Sequence, residues 1–326
     1  MKRETKRENR DWEVREKMKN RIIYQVDSLY REPMQIVGYE FGEGEEALCI
    51  VGSMRGNEVQ QLYICSRLIR QLKEMEQKEQ LAAGKKILVI PCLNFYSMNI
   101  GNRFWPTDHS DINRMFPGYD KGETTQRIAD GVFEKIKDYQ YGVQFASFYM
   151  KGDFLPHIRI MKTGFEEIET AKKFGFPYII LRKPRPFDTT TLNYNWQIWG
   201  VKGFSIYTTT TERIDKGSAQ EAVEGIFRLM WEEKISLYKP AGKRMDCSRI
   251  LDDSNLISVR CQAAGICEQR VEVGEEVQKG QVLARILHPY EGEVLEVLTA
   301  PVDGKVFFLY SDPLVYADTA VVKLVN

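Results

Sequence analysis

The chain has 326 residues, 43% apolar and 28% charged, which are the proportions of an ordinary globular protein with one large core and a small second one. Its 46 basic and 46 acidic side chains cancel, which disfavours nucleic acid and acidic membrane surfaces as partners. Residues 1–21 are dense in Lys, Arg and Glu, and no eighteen apolar residues run together, so the sequence predicts no signal peptide, no membrane span and a cytoplasmic location.

Residues 1–35 are expected to form a charged arm or a solvated helix. From residue 36 to 240, buried-type strands alternate with segments of helical periodicity. This alternation predicts an α/β domain with a mixed, mostly parallel sheet flanked by helices. The predicted strands are 47–54, 86–93, 143–148, 157–161, 178–181 and 204–209. The predicted helices are 58–76, 124–139 and 218–235, the second with Thr124 or Thr125 as its N-cap.

Residues 241–326 contain short β-type segments broken by Gly, Pro and Asp, which predicts a small all-β C-terminal domain. Its phrase Gly-Glu-Glu-Val-Gln-Lys-Gly-Gln-Val-Leu at 274–283 resembles the flattened barrel of biotinyl and lipoyl carrier domains. A carrier needs an exposed lysine at a hairpin tip, whereas residues 287–290 read Leu-His-Pro-Tyr. We therefore expect a structural barrel and not a swinging arm.

Metal-binding residue types are scarce. The six cysteines form no Cys-x-x-Cys pair, and Cys49 and Cys92 lie in strand-like runs where cysteine acts as a small core residue. The only histidines of the sequence are His109, His157 and His288, and an isolated histidine is more often structural than a ligand.

A turn at residues 52–58 joins a predicted strand to a predicted helix. In an open α/β sheet, ligands bind beyond the carboxyl ends of the strands, so a site is expected at this turn. The simpler alternative is that Asn57 caps the helix and Glu58 supports the helix dipole.

The segment 93–119 is long, irregular and rich in Asn, Arg and aromatic residues, which is typical of functional loops. Arg103 and Arg114 offer fork-shaped donors suited to carboxylates, and Asn113 adds a further donor. The alternative is a surface loop held by arginine pairs with Asp108 or Asp111.

Together these stretches resemble the succinylglutamate desuccinylase/aspartoacylase family, which is similar in fold to zinc carboxypeptidases, from about residue 38 to the C-terminus. The most specific stretch is Asp-Ile-Asn-Arg-Met-Phe-Pro-Gly at 111–118, where the family carries Asp-Leu-Asn-Arg-x-Phe-Pro-Gly. The resemblance implies that Arg103, Asn113 and Arg114 bind the carboxylate of an acylated amino acid or a peptide.

The same resemblance implies that the zinc ligands are lost. The family's first metal motif, His-Gly-Asn-Glu, reads Arg-Gly-Asn-Glu here, so Glu58 is kept and Arg55 replaces the histidine. The family's Asp-Leu-His motif corresponds to residues 144–146, so the second metal histidine is Ala146 and its neighbouring aspartate is Gln144.

The family's general base, a glutamate on a late strand, corresponds to Tyr207, or to Thr208 by a one-residue slip. One carboxylate cannot hold a catalytic zinc, which needs three protein ligands and an open position. We hypothesise that the Arg55 guanidinium takes the vacated metal position and pairs with Glu58.

The leading prediction is a protein without zinc or another cofactor that binds a small carboxylate-bearing molecule or peptide without hydrolysing it. Whether it forms a homo-oligomer is left open. One alternative is an active metal-dependent amidohydrolase that recruits His109, His157, Asp111 or a cysteine as ligands. Another is a purely structural subunit.

Overall fold

The computed structural model describes residues 18–27, 32–241 and 248–326, and most of them build a nine-stranded sheet between helices. The strands up to residue 252 are β1 (Lys19–Val26), β2 (Met34–Phe41), β3 (Glu45–Ser53), β4 (Lys85–Cys92), β5 (Tyr141–Ala146), β6 (Gly152–Phe154), β7 (His157–Met161), β8 (Tyr178–Arg182), β9 (Lys202–Tyr207) and β10 (Arg249–Asp252). The helices are α1 (Val59–Gln77), α2 (Phe95–Met98), α3 (Thr124–Ile136), α4 (Ile168–Lys172), α5 (Leu192–Ile198) and α6 (Lys216–Glu232). None of the helices in the described ranges has the length and apolarity needed to cross a membrane.

The strand order of the large sheet is β1-β2-β4-β3-β5-β9-β7-β8-β10. Parallel pairings join β3 to β4 and β5, β5 to β9, and β8 to β7 and β10. The pairings of β1 with β2, β2 with β4 and β7 with β9 are antiparallel. Since five of these eight pairings are parallel, the prediction of a mixed α/β sheet is confirmed.

Both faces of the sheet are buried. Along β3, Leu48 and Ile50 pack into one core cluster with the apolar faces of α1 and α6, and Cys49 and Val51 pack into a second cluster with α3 and α5. Successive side chains of a strand point to opposite faces, so a strand covered on both sides is apolar throughout. For this reason residues 47–51 form a continuous apolar run in the sequence.

The segment predicted as a charged arm or helix contains a strand. Residues 19–26 form β1, which pairs antiparallel with β2 at the edge of the sheet. Ile23 is the buried residue of β1, and its neighbours are exposed or half-buried, so the sequence carries no alternating apolar pattern there. Residues 1–17 and 28–31 of the predicted arm lie outside the described residues.

The predicted N-cap of the 124–139 helix was wrong by one residue. Helix α3 is capped by Glu123 and not by Thr124 or Thr125. The Glu123 backbone N–H donates to the Gln126 side-chain oxygen (2.9 Å), which satisfies an amide at the helix start.

The simpler alternative for the turn at residues 52–58 was wrong, because the N-cap of helix α1 is Glu58 and not Asn57, and the Glu58 side chain makes no capping bond. The Asn57 amide instead donates to the Glu212 carboxylate (2.9 Å). The Glu58 carboxylate is therefore available for the candidate site.

The C-terminal β region (residues 257–326) consists of two further sheets. Its strands are β11 (Ile257–Arg260), β12 (Gly265–Gln269), β13 (Glu276–Val277), β14 (Val282–Leu287), β15 (Val294–Thr299), β16 (Gly304–Tyr310), β17 (Leu314–Val315) and β18 (Ala320–Val325). One sheet has the order β11-β18-β16-β13, and the other has the order β15-β14-β12-β17. The all-β character predicted for the end of the chain is thus observed.

The two parts of the chain exchange strands. Strand β10, which precedes the C-terminal β region, lies parallel to β8 at the edge of the large sheet. Strand β6 lies antiparallel to β16. Phe154, Tyr178, Phe307 and Phe308 pack together in one buried cluster at this junction. The exchange fixes the C-terminal β region against the α/β sheet and makes it one wall of the cavity described next.

Candidate functional site

A cavity of about 380 Å³ lies beyond the carboxyl ends of β3, β5 and β9, where ligands bind in open α/β sheets. Its walls come from the α/β sheet, from the loop before α3 and from the C-terminal β region. Seven residues singled out from the sequence line it, namely Arg55, Arg103, Asn113, Arg114, Gln144, Ala146 and Tyr207. The eighth, Glu58, is 1% exposed and contacts Arg55.

Arg55 is buried (4% exposed) and bridges two carboxylates. Its Nη1 donates to Glu58 Oε1 (3.0 Å), and its Nε–Nη2 edge donates to both oxygens of Asp111 (2.9–3.0 Å). The hypothesis that Arg55 pairs with Glu58 agrees with this geometry. Asp111 is an additional partner that the sequence analysis had assigned to the loop.

Four donors surround the Glu58 carboxylate. Oε2 accepts hydrogen bonds from the backbone N–H groups of Met54 (2.7 Å) and Arg55 (3.2 Å). Oε1 accepts from Arg55 Nη1 (3.0 Å) and from the Ser147 hydroxyl (2.5 Å). A carboxylate has about four lone-pair positions, so these bonds use the acceptor capacity of Glu58.

The electrostatics of this buried group favour charged Arg55. Burial disfavours its charged form, but the carboxylates of Asp111 and Glu58 outweigh burial and raise the pKa of Arg55. A guanidinium has no lone pair to offer a metal, and its positive charge repels a divalent cation. The donor set around Glu58 therefore does not fit a zinc ion.

The loop before α3 is held partly by Arg–Asp pairs, as in the alternative considered for it, although the arginine that binds Asp111 is Arg55. Asp111 accepts from the backbone N–H of Asn113 (3.1 Å) as well as from Arg55, and Asp108 accepts from Ser110. Arg114 lies 3.6 Å from Asp188, which the sequence analysis did not identify.

The proposed carboxylate-binding residues differ in how far they are already engaged. Arg114 donates to the Phe187 carbonyl and lies over the Phe187 ring, and the Asn113 side-chain oxygen accepts from Gln144 (3.2 Å). Within the described part of the chain, Arg103 makes one hydrogen bond, from Nη1 to the Phe148 carbonyl (3.2 Å). Burial, and then the charge of Arg55, lower the pKa of Arg103 to about 10, which leaves it protonated at neutral pH. Of the three residues, Arg103 therefore has the most N–H groups left to bind a ligand.

The positions that the resemblance assigns to replaced motif residues lie around the same cavity. Gln144 and Ala146 follow each other on one face of β5 and are both buried. On β9, Tyr207 lines the cavity, whereas the Thr208 hydroxyl donates to the Thr210 carbonyl (3.4 Å) and Thr208 is not part of the lining. Of the two residues considered for the position of the base, Tyr207 therefore faces the site.

The residues considered as replacement metal ligands for an active amidohydrolase do not form a metal site among the described residues. Across residues 18–27, 32–241 and 248–326, no three His, Cys, Asp or Glu side chains form a group that could hold a metal ion. His109 is exposed, and the ring of His288 accepts backbone N–H groups in a hairpin turn. Cys49 and Cys65 are buried, and burial raises the pKa of both thiols. Cys247 lies outside the described residues.

His157 is fully buried, stacked on the Tyr207 ring, with Nδ1 donating to the Leu155 carbonyl (2.8 Å). Burial, and then the charge of Arg159, lower the pKa of His157 to about 3 from 6.5. Between about pH 6.5 and 3, His157 is therefore protonated in the unfolded chain and neutral in the folded chain. The stability contributed by neutral His157 is complete above pH 6.5 and is lost as pH falls toward 3.

We expect the free energy of unfolding to fall by up to about 1.4 kcal/mol per pH unit below pH 6.5 because of this residue. Denaturant titrations at several pH values between 4 and 7.5 measure the slope. A His157→Phe variant should lack this contribution and lose less stability on acidification than the wild type. Equal slopes in the two proteins would contradict the prediction.

Comparisons with known proteins agree with the fold and with the family. The model of the succinylglutamate desuccinylase/aspartoacylase catalytic domain matches residues 45–231. An N-α-acetyl-L-2,4-diaminobutyric acid deacetylase from Halomonas elongata is 25% identical over 274 residues, which cover 75% of this chain and 71% of the relative.

Solved structures extend the likeness over the whole fold. A succinylglutamate desuccinylase from Silicibacter sp. matches with a TM-score of 0.78 at 17% identity and covers 95% of each chain. An aspartoacylase family protein from Mesorhizobium loti matches with a TM-score of 0.73 at 21% identity and covers 94% of each chain. An ectoine utilization protein from Ruegeria pomeroyi, solved with bound product, matches with a TM-score of 0.74 at 19% identity over 90% of each chain.

Proposed function

Because the chain belongs to the succinylglutamate desuccinylase/aspartoacylase family, we propose that it binds a small carboxylate-bearing ligand, such as an acylated amino acid or a short peptide, without hydrolysing it. The observation that supports this proposal is the buried Arg55, which is paired with Glu58 and Asp111. The resemblance assigns this residue to the position of the family's metal histidine. The proposed ligand pocket is thus retained, with an arginine in place of the zinc ion.

Loss of hydrolysis follows from the chemistry of these residues. A catalytic zinc lowers the pKa of its bound water to about 7 and thereby supplies hydroxide at neutral pH. Glu58 has its acceptor positions filled, Ala146 has no donor atom, and Tyr207 replaces the carboxylate expected to accept a proton from water. No residue of this centre takes over either task.

Ligand binding rests on the donors that remain. Arg103 has free guanidinium N–H groups at the cavity, and Asn113 and Arg114 lie beside it. A carboxylate that reaches Arg103 forms charge-assisted hydrogen bonds in a partly buried site, where such bonds are stronger than in water. We assign Arg103 the main contact with the ligand carboxylate.

The test combines metal analysis with binding. We expect less than about a tenth of an equivalent of zinc after incubation with excess metal, because Arg55 fills the place of a ligand. N-succinylglutamate, an N-acylated aspartate and N-acetyl-2,4-diaminobutyrate, the kinds of compound named in the relatives, are the probes. At least one should raise the unfolding temperature while no free amino acid is released. A ligand at 100 times its Kd adds about 2.7 kcal/mol of stability.

Arg103→Gln should abolish the thermal shift. The matched control is Arg70→Gln, which removes an arginine from the exposed face of α1, where it pairs with Glu74. Both variants must unfold near the wild-type temperature without ligand. Release of amino acid that a chelator stops would instead establish the alternative, an active metal-dependent amidohydrolase.

We also propose that the C-terminal β region (residues 257–326) is a structural barrel of the biotinyl/lipoyl type and not a carrier. The supporting feature is the turn between β14 and β15, where a carrier would present its lysine. In this chain the turn holds His288 and the almost fully exposed Tyr290.

A further inference from the structure

We propose that the cavity contains a second anion-binding subsite, formed by Arg159, Arg182, Arg260 and Lys323, which we call the distal cationic cluster. It receives a second oxyanion group of the same ligand, whose first carboxylate contacts Arg103. This inference rests on the proposed function and narrows it, because it requires a ligand with two separated anionic groups. Two of the four residues, Arg260 and Lys323, come from the C-terminal β region.

The principal observation is a buried arginine with an unused edge. Arg159 is 5% exposed and lies between the rings of Phe148 and Tyr207, with its guanidinium carbon 4.3 and 4.6 Å from the two centroids. Its Nη1 donates to the Tyr207 hydroxyl (3.3 Å). Its Nε and Nη2 are buried and have no hydrogen-bond partner among the described residues. Such orphaned donors on a charged group are costly, so a missing partner is indicated.

Arg55 provides a comparison within the same chain for the kind of group that the Nε–Nη2 edge of an arginine binds. The Nε and Nη2 atoms of Arg55 form a two-pronged contact with the Asp111 carboxylate at 2.9–3.0 Å. The same two atoms of Arg159 have no hydrogen-bond acceptor among the described residues. The carboxylate of Asp253 lies 3.9 Å from Nη2, beyond hydrogen-bond distance. This edge matches the geometry of a carboxylate or a phosphoryl group.

Lys323 provides a second free cation in the same wall. It lies on β18 between Ser258 of β11 and Phe308 of β16, and its side chain lines the cavity. It has no hydrogen-bond or ion-pair partner within the described ranges. Burial lowers its pKa, Asp253 opposes that effect, and the neighbouring charge of Arg159 adds to it. An ammonium in this position is stabilised by an anion in the cavity.

The charge balance of the cavity supports a ligand with more than one negative charge. The cationic side chains that line it are Arg55, Arg103, Arg114, Arg159, Arg182, Arg185, Arg260 and Lys323. Among the described residues, the carboxylates that pair with them are Glu58, Asp111, Asp188, Asp253 and Asp318. Eight cations against five carboxylates leave three positive charges, and a monocarboxylate neutralises one of them. A cavity of about 380 Å³ has room for a small molecule with two charged ends.

The test compares ligands with one and two anionic groups by calorimetry on the full-length protein. The probes are butyrate, glutarate, adipate and 3-phosphonopropionate. We expect the dianionic probes to bind at least about tenfold more tightly than butyrate, because a charge-assisted hydrogen bond contributes about that factor. Tighter binding of 3-phosphonopropionate than of glutarate would assign a phosphoryl group to the subsite, and the reverse order would assign a carboxylate.

Lys323→Gln should weaken the dianionic probes by about tenfold and leave butyrate unchanged. Lys305→Gln is the matched control, since Lys305 is a lysine of the same β region that lies outside this cavity and pairs with Glu276. Lys323→Met, which keeps the aliphatic packing, should behave like Lys323→Gln. A ratio of dianion to monoanion affinity that is close to one, or that Lys323→Gln does not change, would overturn the second subsite.

Arg103→Gln separates this inference from the function on which it rests. If Arg103 holds the first carboxylate, this variant weakens butyrate and the dianionic probes alike. Loss of the dianion preference in Lys323→Gln, with no effect of Arg103→Gln on any probe, would retain the distal cationic cluster and refute the assigned carboxylate site. The opposite pattern would retain the carboxylate site alone.

Discussion

An Arg55→Ala variant is expected to lose about 3–5 kcal/mol of its free energy of unfolding, which is the usual cost of removing one partner of a buried ion pair. Without Arg55, the buried Glu58 carboxylate loses its ion-pair partner, and Asp111 loses its guanidinium contact. The bonds from Met54, from the residue 55 backbone and from Ser147 remain, so the loss should lie toward the lower end of the range.

Denaturant unfolding of the variant and the wild type measures this loss. The matched control is Arg70→Ala, which removes an exposed arginine paired with Glu74 on α1 and should cost less than about 1 kcal/mol. In the double variant Arg55→Ala/Glu58→Gln, the buried negative charge is gone and part of the stability should return. If Arg55→Ala lowers the free energy of unfolding no more than Arg70→Ala does, the Arg55–Glu58 pair does not stabilise the fold.

Zinc binding is expected to appear in the double variant Arg55→His/Ala146→His. The two substitutions place histidines at the positions that the family resemblance assigns to metal ligands, and Glu58 supplies the third ligand. Three protein ligands and an open position suffice for zinc, so we expect about one zinc per chain where the wild type holds almost none. Bound zinc should also stabilise the folded variant, because the metal replaces the positive charge that is lost with Arg55.

Elemental analysis after incubation with zinc and desalting gives the stoichiometry, and the unfolding temperature with and without zinc gives an independent measure. Arg55→Gln/Ala146→His serves as the control, since it removes the same cation but supplies one histidine fewer. A folded double-histidine variant that retains no zinc would mean that residue 146 is not the second ligand position. Ser147→His, combined with Arg55→His, would then be the next variant to examine.

The α/β fold was accessible from the sequence because the inner strands are buried on both faces. Residues 47–51 and 87–93 are unbroken apolar runs, and the intervening helix repeats apolar residues with the period of an α-helix. The edge strand β1 could not be found in this way, because Ile23 is its buried residue and its charged neighbours read as part of a polar arm. Strand order and strand exchange depend on pairing over long distances, which periodicity does not record.

The residues around the cavity were recognisable from motif and topology. Arg55, Ala146 and Tyr207 are far apart in sequence, but each follows or ends a strand whose carboxyl end meets the same edge of the sheet. Of the two partners of Arg55, Glu58 was expected from the motif. Asp111 was not expected, since it comes from a loop whose path no periodic signal describes. Lys323 was missed for a different reason. A single lysine in a strand normally faces solvent, and only the packing of β18 against the α/β sheet turns it into the cavity.

The exchange of β6 and β10 has a practical consequence for dissecting the protein. A fragment that ends at residue 240 loses β10 and uncovers the edge of β8, and it also leaves β6 without β16. Open strand edges invite pairing with other chains, so such a fragment is prone to aggregate instead of reporting on the isolated pocket. Because such a fragment also lacks Arg260 and Lys323, which line the cavity, it cannot report the ligand preference of the protein.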